Sequence, residues 1–316
     1  MQTTNTPTAP LLASTGRLRR RFHRARYLYA MLAVPLVYLA MFRYAPMFGL
    51  VIAFKDYNVF RGVWDSPWVG LENFRNVFAT PDFWQVFRNT LLISFYKLLF
   101  SFPIPIVLAL LMNEMRSQRY KRFVQTVLYL PYFIAWTVLG SVILIIFSPS
   151  GGILSQVSVW LTDGSRMNLL ASRQYIRGIL VITDIWKTAG WGTIIYLAAM
   201  STIDPQLYEA AIVDGANRFQ RIIRITLPSI SGVVVMLLIM RIGWIMNAGF
   251  EQILVLQNPV VRDVIDIFET FVYRVGLGRG QYSFTATADA FKSVVGLILI
   301  VSADRFAKAL GEGGIL

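Results

Sequence analysis

Residues 123–162, FVQTVLYLPYFIAWTVLGSVILIIFSPSGGILSQVSVWLT, contain no charged side chain. About 20 helical residues cross the hydrocarbon core of a bilayer, so this run holds a spanning helix, placed over 123–147. Outward from it, further apolar stretches of similar length lie at 27–52, 89–112, 176–200, 229–250 and 284–303, the last including Asp289 and Lys292. In lipid only helices and closed barrels satisfy their own backbone polar groups, and runs this continuously apolar lack the alternation of barrel strands. The chain reads as all-α, a polytopic membrane protein with about six transmembrane helices.

Composition agrees with the longest run. The 316 residues are 56% hydrophobic and 15% charged, where a soluble domain carries about a quarter charged residues. Lys and Arg number 30 against 17 acidic residues, a net charge of +13 with one His. Such a basic excess points to nucleic acid or to the inner face of a membrane; the apolar runs decide for the membrane, and no nucleic-acid partner is expected. The absence of cysteine excludes disulfides, thiolate catalysis and Cys-ligated metal, and a single His leaves little for a metal site or a Ser-His-Asp relay. No catalytic or metal-ligating residue is assigned.

Orientation follows from the basic clusters. Six arginines lie in 17–26, directly before the first span, and Arg116, Arg119, Lys121 and Arg122 fill the short 113–122 loop. Both clusters face the cytoplasm by the positive-inside rule, which puts both termini there. The apolar stretch after the arginines continues past Arg43 without a small-residue cleavage site, so a retained signal-anchor is preferred to a cleaved signal peptide. Residues 1–26 form a cytoplasmic tail, disordered over the Thr-, Pro- and Ala-rich 1–16. Residues 27–84 are the first helix plus an external segment, 85–305 a five-helix core, and 306–316 a cytoplasmic tail. No glycine-rich phosphate loop is present, so the chain does not hydrolyse a nucleotide itself.

The most informative stretch is 204–228, in the inside loop between spans four and five. Asp204 is an N-cap with Pro205 at the first helical position, Leu207, Ala210, Ala211 and Asp214 recur at helical spacing, and Gly215 permits a positive-φ stop. A second arm, 216–225, puts Phe219, Ile222 and Ile223 on one face and Arg218, Arg221 and Arg224 on another, and Pro228 starts the next span. An amphipathic hairpin that exposes apolar area to the cytoplasm is a docking element.

Glu209-Ala210-Ala211, three residues, Gly215, nine residues, then Ile225-x-Leu227-Pro228 resembles the cytoplasmic loop signature of permease subunits of bacterial ATP-binding-cassette importers at every specified position. The likeness covers roughly 85–305. Gly49–Asn58, Gly70–Phe74 and Ser148–Ile153 resemble the branch that imports complex oligosaccharides and polysaccharide fragments, alginate importers included. The resemblance implies a type I importer permease fold in the bacterial inner membrane. It implies a second permease, homologous but a different chain, and two cytoplasmic ATPases that hold ATP and Mg, so that this chain needs no cofactor. It further implies an extracytoplasmic solute-binding protein, surrounding lipid, and an oligosaccharide substrate, acidic and alginate-like at its narrowest. Carried over residue by residue, Glu209, Ala210, Ala211 and Gly215 are the ATPase-coupling element, with Asp214 and Arg218 beside them; the alternative for Glu209 and Asp214 is local capping or pairing with Arg218.

Charges inside spans are costly and mark a path or a buried pair. Asp289 and Lys292 stand three apart and can neutralise each other, and Asp184 and Lys187 repeat that spacing. Arg241 has no acidic residue within four positions. Read as one continuous helix, the chain puts Arg241, Trp244, Asn247 and Glu251 on a shared face. An aromatic ring to stack on a sugar, with amide and charge for its hydroxyls, makes this face the expected substrate path, joined by Trp186, Trp191 and Lys292. The alternatives are pairing of Arg241 with Asp184 or Asp289 on a neighbouring helix, and plain packing or interfacial anchoring of the tryptophans. Asp263, Asp266 and Glu269 read as a solvated face. A polytopic enzyme acting on lipid-linked sugars, the competing class, would need a nucleophile or clustered carboxylates with partners at a membrane face.

Overall fold

A computed structural model describes residues 25–161 and 168–309. The arginines before Arg26, the 1–16 tail and the end of the chain beyond Ala309 lie outside them. The elements of the described residues are helices, with one isolated antiparallel bridge between Lys55 and Trp68. We label α1 Arg26–Phe54, α2 Glu72–Ala79, α3 Pro81–Asn113, α4 Gln118–Phe133, α5 Trp136–Ile146, α6 Ile153–Leu161, α7 Ile176–Met200, α8 Pro205–Val213, α9 Arg218–Gly243, α10 Phe250–Leu256 and α11 Tyr282–Ala309.

Among these, α1, α3, α9 and α11 are long and apolar enough to cross a membrane, and α4 with α5 makes a fifth if the bent pair is one span. The sixth expected span is α7. Its 25 residues are long enough, but it buries Thr183, Asp184, Lys187 and Thr193, and this polar content sets it apart from the others. It is the central helix. At its C-terminal end Tyr196 and Met200 meet Ala109 of α3 and Ile230 of α9; at the other end Ile176, Ile179 and Leu180 meet Ile93, Ile143, Ile253 and Leu256. Glycines permit the closest approaches: a Cβ on Gly190 would lie 2.0 Å from the carbonyl oxygen of Leu128.

Two spans differ from the sequence reading. The 123–147 stretch is bent by 100° between α4 and α5. Pro131 opens a 3₁₀ turn, and Ile134 and Ala135 are extended, so carbonyls at the bend lose their helical donors. The 229–250 stretch belongs to a helix that begins at Arg218 and ends at Gly243; Gly249, at φ 102°, separates it from α10. Pro228 therefore lies inside α9, preceded by a π-turn over Ile222–Thr226 in which the Leu227 amide bonds the Ile222 carbonyl. The wide turn releases the carbonyl four residues before the proline, which its ring would otherwise strike. The same arrangement precedes Pro46, over Ala40–Tyr44, and Pro103, over Lys97–Ser101.

The segment that follows α1 ties it to the bundle. Asn73 donates to the carbonyls of Ala53 and Lys55 at 3.0 and 2.9 Å, and Thr287 of α11 donates to Ala53 at 3.2 Å. The first part of α1, Arg26–Tyr44, buries no residue.

Candidate functional site: the 204–228 hairpin and an intramembrane charge cluster

The hairpin forms from local signals. Asp204 Oδ1 accepts the Gln206 amide at 2.9 Å, and Pro205 begins α8. The helix stops at Gly215, φ 78°, whose amide bonds the Ile212 carbonyl at 3.0 Å while that of Ala216 reaches Ala211 at 2.8 Å; this is a Schellman stop. Asn217 and Gln220 then form a capping box, at 2.9 and 2.8 Å, that starts α9 at once. Tyr208 and Thr226 join the two arms through their hydroxyls at 2.9 Å. Between the arms lies a groove of ≈ 320 Å³ lined by Ala211, Asp214, Gly215, Gln220, Arg221 and Arg224, among others. Glu209, Ala210 and Arg218 are exposed beside it, as are Leu207, Ile212, Val213 and Phe219. Asp214 caps the end of α8, and no ion pair to Arg218 forms among the described residues.

The second centre lies where α9 breaks. Lys97, buried, places its ammonium 3.1 Å from Asp184 Oδ1, 2.9 Å from the Ala248 carbonyl and 2.5 Å from Gln252 Oε1. Gln252 in turn donates to the Leu180 carbonyl at 2.7 Å and to Thr183 at 2.8 Å. Gly249 is required at the break, since a Cβ there would stand 2.8 Å from the Lys97 ammonium. Arg241, its side chain 44% exposed, approaches the other carboxylate oxygen of Asp184 at 3.8 Å. Two cations thus share one carboxylate. The small space they bound, ≈ 10 Å³ and lined by Ser94, Lys97, Arg241, Trp244 and Asn247 among others, is about the size of one water. Arg241 also lines a larger cavity of ≈ 310 Å³ with Ser101, Tyr132, Trp191, Tyr196 and Leu237. There Trp191 stacks on Tyr132 with ring centres 4.6 Å apart.

The structure therefore brings together Arg241, Trp244 and Asn247 around one cavity and Arg241 with Trp191 around the next. They do not share a helix face, because the helix ends at Gly243 and a turn carries residues 244–249. Glu251 on α10 is exposed and lines neither cavity, nor does Trp186, half exposed on α7. Lys292 lies elsewhere, with its ammonium 2.6 Å from Glu269. The expected pairs within one helix are replaced by pairs between helices: Asp184 takes Lys97 and Arg241, Lys292 takes Glu269 rather than Asp289, and Lys187 donates to the carbonyls of Pro131, Tyr132 and Ile134 at the α4–α5 bend. Of Asp263, Asp266 and Glu269, expected as a solvated face, Asp263 alone is exposed. Asp266 is buried against Arg274, and Asp263 pairs with Arg173 at 3.2 Å. Lys97 and Ser94 were not among the residues expected at the site; the signal that marked Lys97 was its isolation in an otherwise apolar stretch.

Comparison with known proteins places these features. Residues 101–312 match the family described as binding-protein-dependent transport system inner membrane component. Protein LplB of Bacillus subtilis (strain 168) is 44% identical over 292 residues, 92% of each chain. The polygalacturonan/rhamnogalacturonan transport system permease protein YteP of the same organism is 43% identical, over 95% of this chain and 93% of its own length. A crystal structure of a bacterial alginate importer, in complex with its periplasmic protein carrying an alginate pentasaccharide, superimposes with a TM-score of 0.87 at 37% identity, over 95% of this chain and 100% of the matched one.

Proposed function

The chain belongs to the family of binding-protein-dependent transport system inner membrane components, and from that premise we propose that it forms half of the path for an acidic oligosaccharide. It is a permease subunit of an ATP-binding-cassette importer of sugars and not itself an enzyme. In the proposed assembly a second permease, homologous but different, supplies the other half. Two ATPases bind ATP and Mg and grip the 204–228 hairpins, and a solute-binding protein delivers substrate from outside. Both termini are cytoplasmic, on the side of the hairpin, and the membrane is the bacterial inner membrane. The unburied apolar stretch Arg26–Tyr44 offers a face for the second permease.

The observation that carries the acidic reading is the imbalance of charge around Arg241. Lys97 and Arg241 share the Asp184 carboxylate, and Arg241, already the more exposed of the two cations, faces the 310 Å³ cavity. A half-exposed guanidinium whose carboxylate is shared with a second cation still draws water or an anion at membrane depth, and a uronate carboxylate pairs with it in charge-assisted hydrogen bonds while the nearby indoles take the sugar ring. Relatives described as transporting polygalacturonan and rhamnogalacturonan, and alginate, fit this reading. The test is uptake by the reconstituted importer of a uronate oligosaccharide and of a neutral one of equal length. Arg241→Gln, confirmed to assemble with its partners, should lower uptake of the acidic sugar about tenfold, the loss of a hydrogen-bonded charge, and spare the neutral one. Unchanged acidic uptake would remove the reading.

A further inference from the structure

A cavity of ≈ 600 Å³ opens between α3 and α7, away from both centres described above. Its walls are Tyr96, Phe100, Gly178, Val181, Ile182 and Ile185; its mouth is Arg173, Gln174 and Arg177. The residues from α7 recur at positions 178, 181, 182 and 185, one face of a helix. Gly178 widens the upper part, since no atom lies within 4 Å of where its Cβ would be. From Arg177 to Ile185 the helix rises about 12 Å at 1.5 Å per residue, within the about 15 Å of a single leaflet of the hydrocarbon core.

Among the lining residues the charged side chains are confined to one end. Arg177 donates to the Val264 carbonyl at 3.0 Å and to Asn89 Oδ1 at 2.8 Å, both neutral acceptors. Arg88 stands within electrostatic range of it. Arg173 is paired with Asp263, but its side chain remains 65% exposed. Three guanidiniums against one carboxylate leave the mouth positive, and no Asp, Glu, Lys or Arg lines the cavity below it. A ligand that fits has one anionic head and an apolar tail no longer than a leaflet.

We propose that this groove holds one anionic phospholipid, its phosphate at Arg177 and Arg173 and an acyl chain along Gly178, Ile182 and Ile185. The lipid belongs to the leaflet remote from the hairpin, because α7 runs from this mouth to Met200, where the hairpin begins. The groove shares no lining residue with the two cavities at Arg241, so the two readings fail separately.

The experiment uses the assembled importer reconstituted in nanodiscs of phosphatidylglycerol or of phosphatidylcholine, with retained lipids counted by native mass spectrometry after transfer to detergent. Phosphatidylglycerol should be retained at one molecule per copy of this chain, and phosphatidylcholine should not. Gln174→Glu, an exposed change at the mouth, should weaken retention about fivefold, the effect of a charge near an anionic head. Ile182→Trp, which fills the groove from its exposed side, should abolish it. Because the chain has no cysteine, Gly178→Cys provides a unique thiol for a photoactivated benzophenone, which should give an adduct of lipid mass. Equal retention of the two lipids, retention unchanged in both variants, or cross-linking to another permease chain would overturn the proposal.

Discussion

Replacing Lys187 should damage the protein although it binds no carboxylate. Its ammonium answers the carbonyls of Pro131, Tyr132 and Ile134 where the chain turns by 100°, and in lipid no water replaces it. Lys187→Met should lower stability by about 1–3 kcal/mol, the cost of buried acceptors left unmet, read as an earlier thermal unfolding of the detergent-solubilised subunit. An unchanged transition would refute this role. At Gly190 the limit is space: Gly190→Val should prevent α7 from closing on Leu128 and reduce the yield of folded protein in the membrane, while Gly178→Ala, with open space above it, should not. The sequence marks which charged residues lie within spans, but spacing along one helix misassigns their partners. Lys97 and Asp184 are far apart in the chain and meet only because α3 and α7 pack, and nothing local to either residue encodes that contact.

The hairpin is the element most legible in the sequence, because its stops and starts are local. An aspartate cap, a proline at the first turn, a glycine at positive φ and an Asn–Gln box act within four residues of where they stand. Gly215→Pro, or Ala211→Arg in the groove between the arms, should abolish substrate-stimulated ATP hydrolysis in the reconstituted assembly and leave membrane insertion intact. Full stimulation in both would disprove docking through this element. The spans were less legible at their ends. Pro228 reads as a start when only propensity is considered; the π-turn before it lets α9 run continuously from the hairpin to the charge cluster. Pro131 marks where the α4–α5 span can break, but the freed carbonyls are met by an ammonium from a helix more than 50 residues away, which no local rule supplies.

For the molecule as a whole, the proposed orientation predicts that reporter fusions after Leu316 and within 201–226 both score cytoplasmic; an external score at either would invert the path. Apolar length marks four of the six expected spans in the structure, and a fifth if the bent α4–α5 pair is one; α7 stands apart through its buried polar residues. The three wide turns before Pro46, Pro103 and Pro228 bear on how the sequence should be numbered against a helical wheel. Each π-turn carries one residue more than a regular helix would use, so everything beyond it is rotated by about 100°. A wheel drawn without interruption through 222–226 assigns Arg241 and the arginines of the hairpin to a common frame that the chain does not possess. Removing one residue from that segment together with Pro228→Ala would rejoin the two halves in phase, and the same deletion made alone elsewhere in α9 would turn its packed face away from α7.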